Sequence, residues 1–174
     1  MKNQQEDSAL RDLFVEQLQD IYWAETHLTD TLQTMASEAT SVELRQAFEE
    51  HLDVTEVQVE RLEQVFSLLG EDVEAKTCEA MEGLIEEGEE IIDSTEEGTM
   101  VRDCGLIMAA QKVEHYEIAS YGSLRTVAQM LGYTEAAELL QATLDEEKDA
   151  DETLTRIATS FVNLQALQEG TGEK

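Results

Sequence analysis

Proline is absent from this sequence of 174 residues, and glycine occurs only nine times. These two residues interrupt helices most strongly, whereas the abundant Leu, Ala, Glu and Gln are good helix formers. A chain of this length is long enough for one domain with a hydrophobic core and short for two. The composition therefore predicts an all-α fold, built as one bundle of long helices.

Cysteine is scarce as well. Cys78 and Cys104 are the only two, and neither belongs to a C-x-x-C motif. A disulfide framework or a cysteine zinc site usually has more cysteines at closer spacing. We therefore interpret both residues as small, partly buried thiols.

Basic residues are few, with 11 Lys and Arg against 40 Asp and Glu, which gives a formal net charge of −29 at pH 7. Such a surface repels nucleic-acid phosphates and anionic membranes, so we expect no nucleic-acid partner and no membrane partner. A hydrophobic fraction of 41% nevertheless predicts a folded protein and excludes the usual disordered acidic chain. Acidic surfaces of this kind are typical of proteins that work in concentrated salt, which leads to the hypothesis of a halophilic protein.

Long hydrophobic runs are also missing. No stretch approaches the roughly 18 apolar residues of a membrane-spanning helix. Residues 1–7 are polar and lack the apolar segment of a signal peptide. We therefore expect a cytoplasmic protein.

Four long stretches carry apolar residues at steps of three and four, as on the buried face of amphipathic helices. Ser8 is a predicted helix cap, Thr40 and Glu43 form a capping-box pattern that starts a second helix near Ser41, and Gly70 favours a helix end. Gly132 is a further stop signal, and Thr134 is the predicted cap of the last long helix. The predicted helices cover residues 8–38, 41–70, 78–95, 100–131 and 134–164.

The short helix 78–95 lies between two pairs of long helices in the sequence. It would serve as the crossover that lets two helical hairpins assemble into a four-helix bundle. The predicted organisation is a flexible N-terminus at residues 1–7, the bundle at residues 8–164 and a disordered tail at residues 165–174.

Two acids, Glu114 and Glu117, interrupt the apolar stripe of one of these long helices. They are three residues apart, so both project from nearly the same face. The other residues of that face are Ile107, Ala110, Ile118, Tyr121, Leu124 and Ala128. Two carboxylates in a buried stripe need a cation or a proton, because an unpaired buried charge is very costly.

Matching polar residues occur on the other long helices. Glu25 lies in the stripe of the first helix, and His51 lies on the second. Glu147 and Asp151 are four residues apart in the stripe of the last. Ordinary alternatives remain for the first two: Glu25 at the rim of its stripe, and His51 as a hydrogen-bonded core residue. Antiparallel packing with short loops would bring all these positions to one level of the bundle.

Five carboxylates in one core could not all ionise without strong repulsion. Two divalent ions would nearly neutralise them, and oxygen ligands with one imidazole suit iron or manganese better than a thiolate-selected metal. The predicted metal ligands are Glu25, His51, Glu114, Glu117, Glu147 and Asp151. Di-iron carboxylate bundles have a similar set, but this sequence lacks their two Glu-x-x-His motifs.

Three stretches resemble the YciF-type ferritin-like stress-protein family: RLEQVF at residues 61–66, CEAMEGLIEEGEE at 78–90 and VEHYEIASYG at 113–122. The resemblance covers residues 8–160. It implies a ferritin-like four-helix bundle with an additional helix, often assembled as a homodimer, and a dinuclear metal site.

The resemblance also bears on individual ligands. The pair Glu114 and Glu117 is similar to a metal-binding Glu-x-x-Glu of rubrerythrins, and Asp151 stands where a Glu-x-x-x-His motif would have its histidine. Val54 and Gln58 stand where the family usually has a carboxylate and often a histidine. The resemblance therefore implies a carboxylate-rich site that has lost ligands on the second helix.

Two functions remain open at this point. One is a stress-response protein that binds dinuclear iron or manganese and reacts with oxygen or peroxide. Tyr22, Tyr116 or Tyr121 would then be hydrogen-bond donors near the metal, or ordinary core residues. The other is a bundle without catalysis, acting as a structural or interaction protein with a degraded metal site.

Overall fold

The computed structural model describes residues 8–169. Their helices are α1 (Ala9–Glu38), α2 (Val42–Leu69), α3 (Glu79–Ser94), α4 (Met100–Met130), α5 (Thr134–Ile157) and α6 (Asn163–Glu169), with a π-helical turn at Ala158–Val162. No strand occurs within residues 8–169. The prediction of an all-α fold is confirmed.

The four long helices form a closed ring around one core. Helix α1 packs on α2, α2 on α5, α5 on α4, and α4 on α1, while α3 packs outside the ring against α4 and α1. The largest fully buried side chains include Phe14, Leu18, Phe48, Phe66, Leu106 and Tyr121. This is the predicted four-helix bundle with an additional short crossover helix.

The ends of α1 and α2 lie close to where the sequence signals predict them, but α2 is capped by Ser41 and not by Thr40, whose hydroxyl donates to the Thr99 carbonyl. The hydroxyls of Ser8 and Ser41 accept hydrogen bonds from backbone N–H groups three residues later, which satisfies donors that the first turn leaves free. Gly70 ends α2 in the left-handed region, with φ of 71°.

The start of α5 differs from the prediction. Thr134 is the first helical residue and not the cap, and Tyr133 at the cap position makes no side-chain hydrogen bond to the helix. Gly132, with φ of 80°, turns the chain so sharply after α4 that α5 begins almost at once.

Helix α3 is held against α4 by a small residue and by a buried charge. A Cβ added at Gly105 would lie 2.6 Å from Ile91 Cγ2, so only glycine permits this approach of the two helices. The Arg102 guanidinium donates to the carbonyls of Ile92 and Thr95, at 2.8 and 2.6 Å, at the end of α3. These contacts fix the direction in which the chain leaves α3.

The C-terminal prediction is wrong for residues 165–169, which belong to α6. The Glu169 carboxylate accepts from the backbone N–H groups of Met100 and Val101, at 2.8 and 3.3 Å. An anion at the start of α4 satisfies free backbone donors and complements the helix dipole, which stabilises α6 beyond the predicted end. Residues 170–174 and the predicted flexible residues 1–7 lie outside the described residues.

No helix within residues 8–169 combines the length and the apolar character that crossing a membrane requires.

Exposed acids dominate the outer surface of α3, where the exposed glutamates are Glu79, Glu82, Glu86, Glu87, Glu89 and Glu90. If the protein is halophilic, molar KCl will screen this repulsion and raise the melting temperature by about 10 °C relative to dilute buffer. Circular dichroism melts at increasing KCl measure the rise. Replacing Glu86 and Glu90 by glutamine should reduce it, and a melting temperature that is independent of salt would contradict the hypothesis.

Candidate metal centre

Helix α4 contributes two acids that are almost inaccessible to solvent. The exposed fractions of Glu114 and Glu117 are 2% and 0%. Their predicted neighbours on the helix face are buried as well, with Ile118 only partly so. The apolar stripe therefore carries both carboxylates into the core, as their spacing predicts.

Helix α2 contributes His51, which is 9% exposed. Its Nε2 atom lies 3.2 Å from Glu114 Oε1 and 3.6 Å from Glu147 Oε2. About 3 Å is the separation of neighbouring ligand atoms around an octahedral ion with bonds of about 2.1 Å. The imidazole is thus placed between acids of two different helices.

Helix α5 contributes Glu147, which is fully buried. The Gln58 amide donates to Glu147 Oε1 at 2.5 Å and to Glu146 Oε2 at 3.1 Å. Arg61 binds Glu146 through both terminal nitrogens, at 2.7 and 2.9 Å. This ion pair keeps the Glu146 side chain partly buried. The sequence spacing of Gln58 and Arg61, three residues apart on one face of α2, is the signal that could have indicated the network.

Helix α1 contributes Glu25, which is also fully buried. The Tyr121 hydroxyl donates a hydrogen bond to Glu25 Oε1. The alternative that this carboxylate lies at the rim of the stripe is therefore excluded. Tyr121 is the one tyrosine of the three candidates that binds a clustered acid directly.

The other two tyrosines bind acids elsewhere. Tyr116 donates to Asp20 at 2.9 Å and lies 3.0 Å from the Cys78 thiol. Tyr22 donates to Glu63 at 3.1 Å. Neither Tyr116 nor Tyr22 therefore donates a hydrogen bond to the buried acids Glu25, Glu114, Glu117 or Glu147 in the described residues.

The side chains of His51, Glu114, Glu117 and Glu147 converge. Each offers one ligand atom, and these atoms all lie within 4.8 Å of one another. Glu25 lies beside them, close enough for its charge to act on Glu117 and Glu147. The structure thus brings five of the six predicted ligands to one level of the bundle.

Many polar atoms of this cluster have no hydrogen-bond partner among the described residues. They are Glu25 Oε2, His51 Nε2, Glu114 Oε2, both carboxylate oxygens of Glu117, and Glu147 Oε2. Buried polar atoms without a partner are rare in folded proteins, so a group of them indicates a site for a ligand, an ion or a proton. A donor set of carboxylates and one imidazole fits a divalent ion such as iron or manganese.

Asp151 does not join this group. It lies one turn beyond Glu147, rotated by about 40° around the axis of α5, and its side chain is 24% exposed. Gln111 donates to its Oδ1 atom at 3.0 Å, and His115 Nε2 lies 3.5 Å from the same atom. The rotation turns Asp151 toward the rim between α4 and α5 and leaves the core level to Glu147.

Comparison with known proteins agrees with this architecture. The family described as Domain of unknown function (DUF892) matches residues 9–167. Protein YciF of Escherichia coli (strain K12) is 50% identical over 158 residues, which cover 90% of this chain and 95% of YciF. The chain belongs to the YciF family.

Solved structures of similar proteins share the fold. The crystal structure of the E. coli stress protein YciF matches with a TM-score of 0.85 at 49% identity, covering 90% of this chain and 98% of that one. YcfI, a proposed structural protein from Rhodopseudomonas palustris, has a TM-score of 0.82 and 37% identity, with coverages of 89% and 97%. A protein from Xanthomonas campestris at 22% identity has a TM-score of 0.73, with coverages of 93% and 99%, and supports the fold alone.

In this member of the YciF family, Gln58 and Val54 of α2 have different surroundings. Gln58 is fully buried against Glu147 and donates a hydrogen bond to it. Val54 is only partly buried and presents an apolar side chain beside the cluster. His51 is therefore the residue of α2 that offers a nitrogen atom suited to metal binding at this centre.

Burial controls the protonation of the centre. It raises the pKa of Glu25 to about 7, against the opposing effects of the Tyr121 hydrogen bond and of His51. Burial and the charges of neighbouring glutamates hold the pKa of Glu117 and of Glu147 well above the usual range. Burial alone would lower the pKa of His51, but the adjacent Glu114 outweighs it and the pKa is raised. Without a cation, this YciF-family centre therefore retains protons.

The bond between Tyr121 and Glu25 can be tested by removing one hydroxyl. Tyr121→Phe leaves a buried carboxylate oxygen without its donor, so we expect a loss of about 1–2 kcal/mol in the free energy of unfolding. Urea unfolding in the presence of chelator measures the change. Tyr22→Phe is the matched control, because Tyr22 donates to the exposed Glu63 and should lose no more than about 0.5 kcal/mol. Equal losses in the two variants would contradict the assigned role of Tyr121.

Proposed function

We propose that this YciF-family protein acts in the stress response by binding two divalent ions, iron or manganese, in the core of its bundle. The ligands would be Glu25, His51, Glu114, Glu117 and Glu147. The observation that carries the proposal is the set of buried carboxylate oxygens and the imidazole nitrogen that lack hydrogen-bond partners among the described residues. A core stabilised only by packing would not hold such groups, because each of them costs folding free energy.

The charges of these residues support a pair of ions. The four clustered glutamates carry −4 when ionised, and two divalent ions carry +4. One ion would leave a net negative charge in the core, whereas two would balance it. Oxygen donors with a single imidazole favour iron or manganese over metals that prefer thiolate ligands.

Bound iron or manganese would supply redox chemistry toward oxygen or peroxide. The protein residues have simpler tasks: Gln58 holds one oxygen of Glu147, and Tyr121 holds one oxygen of Glu25. Both bonds orient carboxylates from outside the metal, as supporting residues do in other metal centres. The packed ring of α1, α2, α4 and α5 excludes bulk water, which strengthens every charge interaction inside.

Metal analysis tests this proposal directly. The protein is purified without chelator, incubated with Fe(II) under nitrogen or with Mn(II), and desalted. We expect about two ions per chain by plasma mass spectrometry, as in two-metal carboxylate sites. A content well below one ion per chain with either metal would overturn the proposal.

A second function is a bundle without catalysis, serving as a structural or interaction protein. Three observations favour it: Val54 and Gln58 offer no carboxylate or histidine on α2, and Asp151 lies outside the cluster. The similarity to the proposed structural protein of R. palustris points the same way.

In either function we propose a homodimer, for which light scattering should give about twice the chain mass of 19.5 kDa.

A further inference from the structure

A groove between α2 and α5 leads from the surface to the clustered acids. Its volume is about 290 Å³. Of the five clustered side chains, only His51 and Glu114 line it, while Ala47, Val54 and Ala150 are among the small and apolar residues of its walls. The groove thus reaches the centre on one side and ends at two of its proposed ligands.

The atoms at the inner end of the groove are unsatisfied. His51 and Glu114 are more than nine-tenths buried, with exposed fractions of 9% and 2%. His51 Nε2 and Glu114 Oε2 have no hydrogen-bond partner within residues 8–169. A larger groove of about 410 Å³ lies between α1 and α4 but contacts none of the clustered acids. Of these two grooves, the one between α2 and α5 reaches the clustered acids and the one between α1 and α4 does not.

The groove also has a charge preference. Glu50, Glu146 and Asp149 line its outer part, and no lysine or arginine lines it. Arg61 neutralises Glu146 from outside the groove, so the net attraction comes mainly from the exposed Glu50 and Asp149. Acidic walls concentrate cations and repel anions.

The size of the groove suits a hydrated ion. Six water molecules occupy about 180 Å³ at roughly 30 Å³ each, which is less than the groove volume. A divalent ion could therefore keep its water shell as far as His51 and Glu114. Exchange of water for those two atoms would come first, before the ion contacts Glu117, Glu147 or Glu25.

We propose that the α2–α5 groove is the route by which hydrated divalent cations reach the centre, with His51 and Glu114 as the first ligands they meet. This inference rests on the proposed function, since it concerns the same centre. In this proposal the small side chains of Ala47 and Ala150, on opposite walls, keep the passage open. The carboxylates of Glu50 and Asp149 attract the ion.

Blocking the passage should slow loading without removing the site. The variant Ala150→Phe is mixed with Co(II) in a stopped-flow instrument, and binding is followed by the absorbance of the bound ion. We expect the association rate constant to fall at least tenfold while the number of Co(II) ions bound at equilibrium stays the same. Ala47→Phe blocks the opposite wall and serves if Ala150→Phe does not fold. The matched control is Ala119→Phe, which places the same side chain in the α1–α4 groove.

The role of the two exposed acids at the outer part of the groove is tested by neutralising them. The double variant Glu50→Gln with Asp149→Asn should slow Co(II) association several-fold at low ionic strength and reduce the salt dependence of the rate. Glu152→Gln, at an exposed position of α5 outside the groove, should leave both unchanged.

Unaltered rates in Ala150→Phe and Ala47→Phe, or slower loading in Ala119→Phe alone, would overturn the proposed route while leaving the metal centre intact. The absence of Co(II) binding to the unmodified protein at equilibrium would instead overturn the proposed function, and the route with it.

Discussion

Glu117→Gln is expected to weaken metal binding strongly and to stabilise the metal-free protein. Neither oxygen of this carboxylate has a partner among the described residues, and the side chain is fully buried. A neutral amide of the same shape removes a ligand, so Mn(II) affinity should fall more than about 100-fold, beyond the loss that supporting residues cause. Glutamine also removes the cost of keeping this buried carboxyl group protonated at pH 8, where the carboxylate of the unfolded chain is ionised, so the metal-free protein should gain about 1–2 kcal/mol in the free energy of unfolding.

Calorimetric Mn(II) titration and urea unfolding with chelator measure the two effects separately. Glu152→Gln makes the same chemical change at an exposed position of α5 and should alter neither quantity. An unchanged Mn(II) affinity in Glu117→Gln would remove this residue from the centre. A loss of metal-free stability would show that Glu117 has a structural partner.

The stability of the metal-free protein should fall as the pH rises from 5 to 8. The pKa of Glu25 is raised from its ordinary value of 4.5 to about 7 in the folded protein, so the folded state binds more protons than the unfolded state between these values. Its contribution is fully present below pH 4.5 and is lost as the pH rises through about 7. The raised pKa values of Glu117, Glu147 and His51 act in the same direction. Glu25 alone accounts for a change on the order of 3 kcal/mol.

Urea unfolding at steps of pH measures this slope, and 1 M KCl in all samples screens the surface acids. Glu25→Gln should flatten the slope. Saturating Mn(II) should reverse it, because metal binding needs deprotonated ligands and releases protons. A stability that rises between pH 5 and 8 in the presence of chelator would contradict the protonation assigned to the centre.

Much of the fold follows from local signals in the sequence. The absence of proline, the Ser8 cap and Gly70 correctly predict long helices and several of their ends. The structure of residues 165–169 could not be predicted this way. It depends on a hydrogen bond from the Met100 N–H, at the start of α4, to the Glu169 carboxylate, and these two residues are 69 positions apart in the chain. The same applies to Arg102, whose partners are carbonyl groups at the end of α3.

Helical periodicity also places most of the centre correctly. Glu25, Glu114, Glu117 and Glu147 interrupt apolar stripes in the sequence, and all four are buried in the core. Asp151 shows the limit of the reasoning. A step of four residues leaves a side chain about 40° off its stripe, and the sequence does not contain the packing of α4 against α5 that decides whether such a residue faces inward.

The unsatisfied atoms of the centre amount to local frustration in an otherwise consistent sequence. A sequence shaped by folding alone would place leucine at positions such as 117 and 147, where apolar packing surrounds the side chain. A buried glutamate at these positions destabilises the fold that the helix caps and apolar stripes favour. The free energy of unfolding of the bundle is therefore lower than apolar residues at these positions would give. Substitutions that raise it there should also remove the atoms that bind the ions.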